Sequence, residues 1–222
     1  MCSHYQTVKE QHRIEKYFRA RGIPPPSFDI WPGKAGLFIR RPLEWESGDE
    51  AVPEREAVLG RWGLISKLTK VDGLEGAEKR STFNARAETA DKLWTFRHAW
   101  AQGQRCIIPA ESVFEPDWRS GKAVSTRFTH KDGAPLGIAG LWDRYRDRAG
   151  ELVESYTMIT LNADEDPLFR HYHRPEKEKR MVVILPEGAY HDWLTTSVAR
   201  TKEFLTPYPH DKLIATAMSS TA

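Results

Sequence analysis

Five short apolar runs crowd the second half of this chain: RCIIPAESVFEP (105–116), STRFTH (125–130), LGIAGLWDRY (136–145), SYTMITLNAD (155–164) and KRMVVILP (179–186). Each is rich in β-branched or aromatic residues, and HKDG (130–133) and RDRAG (146–150) separate them as turn signals. In the first half, 37–40 and 57–65 are strand-like, and LIATAM near the end adds a last short strand. Helices are predicted over 5–21, where Tyr5, Val8, Ile14, Tyr17 and Phe18 share a face, over 90–102 and near 188–194. Leu93, Phe96 and Trp100 are expected to point inward, with Gly103 as a C-cap. KLTKVDGLEGAEKR (67–80) reads as a loop. Hairpin-connected strands with a few helices predict an α+β fold: a single domain over 1–222 with a curved, mostly antiparallel, barrel-like sheet flanked by helices.

Composition narrows the function classes. With 33 basic and 31 acidic residues the net charge is only +2, which excludes a protein that coats long duplex by bulk charge. Any nucleic-acid contact must then be a local basic patch. The longest apolar stretches, LGIAGLW and MVVIL, are too short to span a bilayer, and the N-terminus lacks an apolar secretory segment. Two cysteines, at positions 2 and 106, argue against a disulfide framework. A reducing, cytoplasmic setting, a monomer and no membrane partner are expected.

Cys2 follows the initiator directly. Removal of Met1 would leave a cysteine whose α-amine and thiol sit on adjacent carbons, a pair that no internal cysteine has. NARAET (84–89) sets an amide and a guanidinium ahead of a helix start, where Arg86 suits a phosphate and Asn84 equally suits a turn. VFEP ends an apolar strand on Glu115, whose desolvation would raise its pKa toward acid–base use; an exposed strand-end glutamate is the plainer alternative. HYHRP offers His171 and His173 as proton shuttles or solvated loop residues, and the EKEK after it reads as a solvated charge run. Thr160 and Asn162 share a strand face with Tyr156 and Met158, which suggests a pocket at one end. No metal-ligand spacing is present, and no metal or cofactor is expected.

Taken in order, MC, RWGLI (61–65), TFNARAET, RCIIPAESVFEP, LGIAGLWDRY, YTMITLNAD and H-R-P…KRMVVILP cover most of the chain. In these the chain resembles the SRAP family, the SOS response-associated peptidase-like proteins that act as abasic-site shields on single-stranded DNA. The resemblance implies catalytic roles for Cys2, Asn84, Glu115 and His173, and DNA contacts for Arg86, Arg97, Trp62 and Thr160. It also implies a covalent thiazolidine crosslink between Cys2 and an abasic site, with weak lyase activity and self-reversal. A thiol autopeptidase or peptidase using Cys2, and a non-catalytic single-strand-binding module, are the alternatives. The chain departs from the family in three places. The segment between His173 and RMVVIL is longer than in compact members, which makes His171 the alternative counterpart, although HRP favours His173. CSHY replaces a start that carries a phosphate-contacting arginine, for which His4 and Arg13 are candidate substitutes, and Pro116 rather than tryptophan follows Glu115, with Trp118 two positions later.

Overall fold

The computed structural model describes residues 2–218. Its strands, in chain order, are β1 (Tyr5–Thr7), β2 (Arg21–Gly22), β3 (Asp29–Ile30), β4 (Ala35–Arg40), β5 (Glu56–Trp62), β6 (Asn84–Arg86), β7 (Arg105–Asp117), β8 (Val124–His130), β9 (Leu136–Arg146), β10 (Leu152–Asn162), β11 (Arg180–Val182), β12 (Ile184–Leu185) and β13 (Leu213–Ala217). The α-helices are α1 (Gln11–Phe18), α2 (Leu74–Glu78), α3 (Trp94–Ala101) and α4 (Tyr190–Thr195).

Strands β4, β5, β10, β9 and β7 pair in a ring that closes through β7–β9. An odd-numbered ring cannot alternate direction all the way round, so one neighbouring pair has to be parallel. That pair is β5–β10, with Ser155 beside Arg61 and Tyr156 beside Trp62; the other four contacts are antiparallel. The fold is therefore α+β with a mixed, mostly antiparallel barrel, as the hairpin spacing implied. Close approach of the walls restricts side-chain size. A Cβ on Gly36 would strike the Tyr5 and Tyr156 hydroxyls, which hydrogen-bond each other at 2.5 Å inside the barrel.

Successive strand residues face opposite sides, and this alternation splits the core in two. Phe38, Cys106, Ile108, Ile138 and Met158 join Cys2, Tyr5, Trp62 and Tyr156 in one cluster. Their neighbours Leu37, Ile39, Ile107, Ala139 and Ile159 belong to the other. The buried faces of α1, α3 and α4, Ile14 and Phe18, Phe96 and Trp100, Tyr190 and Trp193, are all in that second cluster. The first cluster is thus the barrel interior, and the second is the layer between barrel and helices.

Several local expectations change. Residues 5–21 are not one helix: Tyr5–Thr7 pairs with β7 and β3, and α1 starts only at Gln11. It stops at Arg19, whose left-handed φ of 52° is the C-cap, ahead of Gly22 and the prolines at 24–26. The 67–80 segment contains α2, whose Leu74 and Ala77 pack on Ile65 and Tyr145. In α3, Phe96 and Trp100 are buried as expected, but Leu93 is the exposed N-cap residue. Gly103 follows that helix with φ of 62°, the conformation glycine adopts most readily.

Candidate functional site

Strand β1 brings the head of the chain alongside the far end of β7. Tyr5 sits opposite Val113, and the Phe114 N–H donates to the His4 carbonyl at 3.1 Å. Cys2 is thereby fully buried, its thiol donating to the His4 carbonyl at 3.3 Å. Burial first, and the charge of Glu115 second, push the thiol pKa from 9.0 to about 12, with the backbone of His4 and Phe114 acting in the opposite sense. At neutral pH the sulfur therefore keeps its proton.

Asn84 arrives from another direction. It opens β6, a three-residue strand parallel to β10 with Asn84 beside Met158. Its Nδ2 donates to the Cys2 carbonyl at 2.6 Å, while its buried Oδ1 has no hydrogen-bond partner among the described residues. A buried carbonyl oxygen of this kind is normally satisfied, so it marks a place where another donor belongs.

Glu115, two residues beyond Val113, is 3% exposed and lies 3.0 Å from His173 Nε2. His173 adopts a left-handed φ of 65°, rare for a residue with a side chain. Its N–H donates to the Pro116 carbonyl at 2.7 Å, and Tyr172 bridges Asp117, so the end of β7 grips this loop. His171 instead lies exposed on a short 3₁₀ turn, beside Arg170.

Next to His173 opens a cleft of about 420 Å³ walled by Arg86, Trp118, Arg174, Lys177, Glu178 and Arg180. Arg86 pairs with Glu178 at 2.8 Å. Arg180, 2% exposed, reaches Glu178 and Glu88 at 2.9 Å each. Partial burial works against ionisation of Glu178. Hydrogen bonds from Arg180 and Asn162, with the charges of Arg180 and Arg86, nevertheless hold it below the usual carboxylate range. Arg174 lies over the Trp118 ring at 4.7 Å, leaving a half-buried aromatic at the rim.

The structure brings together Cys2, Asn84, Glu115, His173 and Arg86, but three sequence-selected residues stand elsewhere. Trp62 is 0% exposed, wedged edge-on between Tyr5 and Phe83 with its indole N–H on the Phe83 carbonyl, so it offers no surface to a ligand. Thr160 is also fully buried, and its hydroxyl meets Arg180 Nη2 at 3.2 Å, one residue behind the cleft. Arg97 is exposed on α3, which packs into the outer layer rather than along the cleft. His4 is sandwiched between Trp31 and Phe114 at 4.1 Å each and bonded to Asp29, while Arg13 is held by both Glu111 oxygens. Lys177 and Glu178 are exposed, as a solvated run implies, and also wall the cleft, whereas Arg180 carries almost no local sign of its role. Its one signal is a cation immediately before the buried MVVIL. Among the described residues no group of three or more His, Cys, Asp or Glu could hold a metal, and no helix is long and apolar enough to cross a membrane.

A barrel whose interior holds a thiol beside a carboxylate–imidazole pair, next to a cleft walled by arginines, defines a class of thiol-bearing barrel proteins. The model of the family SRAP, SOS response associated peptidase, matches residues 1–221, and the chain belongs to that family. It is 29% identical over 226 residues to the abasic site processing protein YoaM of Bacillus subtilis (strain 168), covering 99% of this chain and 89% of YoaM. It is 24% identical over 215 residues to the abasic site processing protein HMCES of Gallus gallus, covering 88% of this chain and 61% of HMCES. A crystal structure of a Bordetella bronchiseptica protein, 60% identical, superposes with a TM-score of 0.92 over 98% of this chain and all of that one. One from Bacteroides thetaiotaomicron, 21% identical, shares the fold with a TM-score of 0.74 over 99% of this chain and 93% of that one.

Proposed function

We propose that this protein processes abasic sites in single-stranded DNA by forming a covalent crosslink through Cys2. The observation that carries the reading is the pairing of Asn84 with the Cys2 carbonyl at 2.6 Å beside the Glu115–His173 pair. Three separate segments converge on the first residue that initiator removal would expose.

The chemistry balances without a cofactor. The α-amine of Cys2 adds to the ring-opened C1′ aldehyde, and the carbinolamine loses one water to give an imine. The thiol then adds across the C=N bond: sulfur bonds to C1′, and its proton ends on nitrogen, closing a thiazolidine. Ring closure is intramolecular and gains from effective concentration. The Asn84 Oδ1 orients the amine, Glu115 relays protons during dehydration and thiol addition, and His173 serves the sugar hydroxyl. Run backward, the same relay reverses the adduct. The imine also permits weak β-elimination, a lyase side activity. The acting unit proposed is a monomer.

Burial and Glu115 keep the proton on the thiol, so addition to the imine requires that proton to leave as sulfur attacks, a transfer that Glu115 relays. Incubation with an oligonucleotide carrying one abasic site, followed by a denaturing gel, tests the proposal. A heat-stable shifted band that disappears in Cys2→Ala is expected, with intact mass showing Met1 absent. A full adduct from Cys2→Ala defeats it.

A further inference from the structure

A larger cavity, about 640 Å³, lies at the other end of the β9–β10 pair from Cys2. Asn84 and Arg86 stand beside Met158 and Thr160, whereas this cavity is built around Asp143, opposite Ser155, and Arg146, opposite Leu152. The strand from Thr160 back to Leu152 spans roughly 26 Å at the ordinary rise per residue. The two cavities share no lining residue.

The charged side chains of the walls that reach solvent are all cationic. Lys67, Lys70, Arg144 and Arg146 line the cavity, and none of the four is held in an ion pair among the described residues. The single acid, Asp143, is fully buried and already committed. It accepts the backbone N–H groups of Lys67 at 2.9 Å and Arg144 at 2.8 Å, and it holds His98 Nδ1 at 3.1 Å. With Nδ1 held by the Asp143 carboxylate, His98 lines the cavity, and its Nε2 is bonded to no described residue. Trp142 and Tyr145 touch the cavity only at their margins, since both are buried, with Arg40 over the Trp142 ring at 4.0 Å and Tyr145 packed on Leu74 and Ala77. A buried carboxylate spent on fixing one imidazole, inside a basic rim, is a built arrangement rather than a solvated face. Guanidinium groups match phosphate oxygens, and the volume falls in the range of small-ligand sites.

We propose that this cavity binds the phosphate of a nucleotide unit. Lys70, Arg144 and Arg146 hold that phosphate, and His98 Nε2 hydrogen-bonds a neighbouring sugar hydroxyl or base amino group. The phosphate belongs to a free mononucleotide or to a nucleotide of a strand. The site stands apart from the Cys2 chemistry and does not depend on it.

Calorimetric titration of the full chain with dAMP and with pentathymidylate, at physiological salt, tests the site. Lys70→Glu/Arg146→Glu changes two exposed residues and is expected to fold. Arg144→Gln is the second variant, and Arg86→Glu, in the other cleft, is the control. The expected result is a dAMP affinity at least tenfold weaker in both cavity variants and unchanged in Arg86→Glu, which identifies a free-nucleotide site. A tenfold loss for pentathymidylate alone in both cavity variants assigns the site to a strand. The proposal is overturned if neither probe loses affinity in the cavity variants, whether because nothing binds or because only Arg86→Glu weakens binding.

Discussion

Asn84 and Cys2, 82 positions apart in sequence, meet through an Nδ2–carbonyl hydrogen bond of 2.6 Å, and the opposite edge of the same amide has no partner among the described residues. One amide thus fixes the backbone of the thiol-bearing residue and keeps an acceptor in reserve. Replacing Asn84 by alanine removes both functions. A buried hydrogen bond of this type contributes about 1 kcal/mol to stability, so the fold survives. Adduct formation, if the acceptor orients the amine, slows at least tenfold in Asn84→Ala, as timed by denaturing gels. A rate equal to that of the native chain would remove Asn84 from the mechanism.

The Cys2 thiol couples stability to alkaline pH. Its pKa is about 12 when folded and 9.0 ordinarily. Below pH 9 both states keep the proton and the contribution is fully present. Between pH 9 and 12 the unfolded chain releases the proton while the folded chain retains it, so stability falls as pH rises. The slope from this group approaches about 1.4 kcal/mol per pH unit. Urea unfolding midpoints at a series of alkaline pH values should decline less steeply in Cys2→Ala than in the native chain. Parallel declines would contradict the raised pKa.

Glu115 supplies the second-largest part of that shift, after burial. Glu115→Gln keeps the shape and removes the charge, so the thiol pKa drops but stays above 9.0, because burial remains. Alkylation of Cys2 by iodoacetamide at mildly alkaline pH, followed by mass spectrometry, should run faster in this variant. Crosslinking by the same variant should run slower in formation, reversal or both. That opposition separates a proton relay from a group that merely restrains the sulfur.

Arg86 and Glu178 make opposite predictions for DNA. Arg86 sits at the cleft mouth, paired at 2.8 Å with a carboxylate held ionised by Arg180 and its neighbours. Arg86→Ala should weaken single-strand binding and make the slope of log affinity against log salt shallower by about 0.7. Glu178→Gln withdraws the competing anion from Arg86 and Arg180, so affinity rises. Fluorescence anisotropy across a salt series reads both, and two losses would mean that Glu178 positions the cations rather than competing with phosphate.

How much of this was legible in sequence depended on whether the signal was local. The β-runs and their turns predicted the curved sheet because side-chain alternation is written into neighbouring residues. Cys2, Asn84, Glu115 and His173 were named from their motifs, but nothing local said that Tyr5–Thr7 would pair with β7. Its apolar residues fit a helix face as well as a strand. Trp62 shows the reverse failure. A tryptophan beside a glycine in RWGLI reads alike whether it faces solvent or the barrel interior, and only the packing of Tyr5 and Phe83 decides. Arg180 stayed hidden because a buried cation needs partners from distant segments, here Glu88 and the Thr160 hydroxyl.

His173 holds the least comfortable backbone in the site, with φ of 65° and its N–H on the Pro116 carbonyl at 2.7 Å. A left-handed residue with a side chain carries strain of order 1 kcal/mol, which persists only where surrounding contacts impose it. Here the β7 end and the Glu115 carboxylate impose it together, and the imidazole is delivered to the carboxylate at 3.0 Å. His173→Gly relieves the backbone but removes the ring, whereas His173→Gln keeps a hydrogen-bonding side chain and the strain. If the ring transfers protons, both variants lose crosslinking or reversal rate. If the ring only braces Glu115, Gln restores the rate and Gly does not. Rates of adduct formation and of release onto a competitor oligonucleotide distinguish proton transfer from bracing.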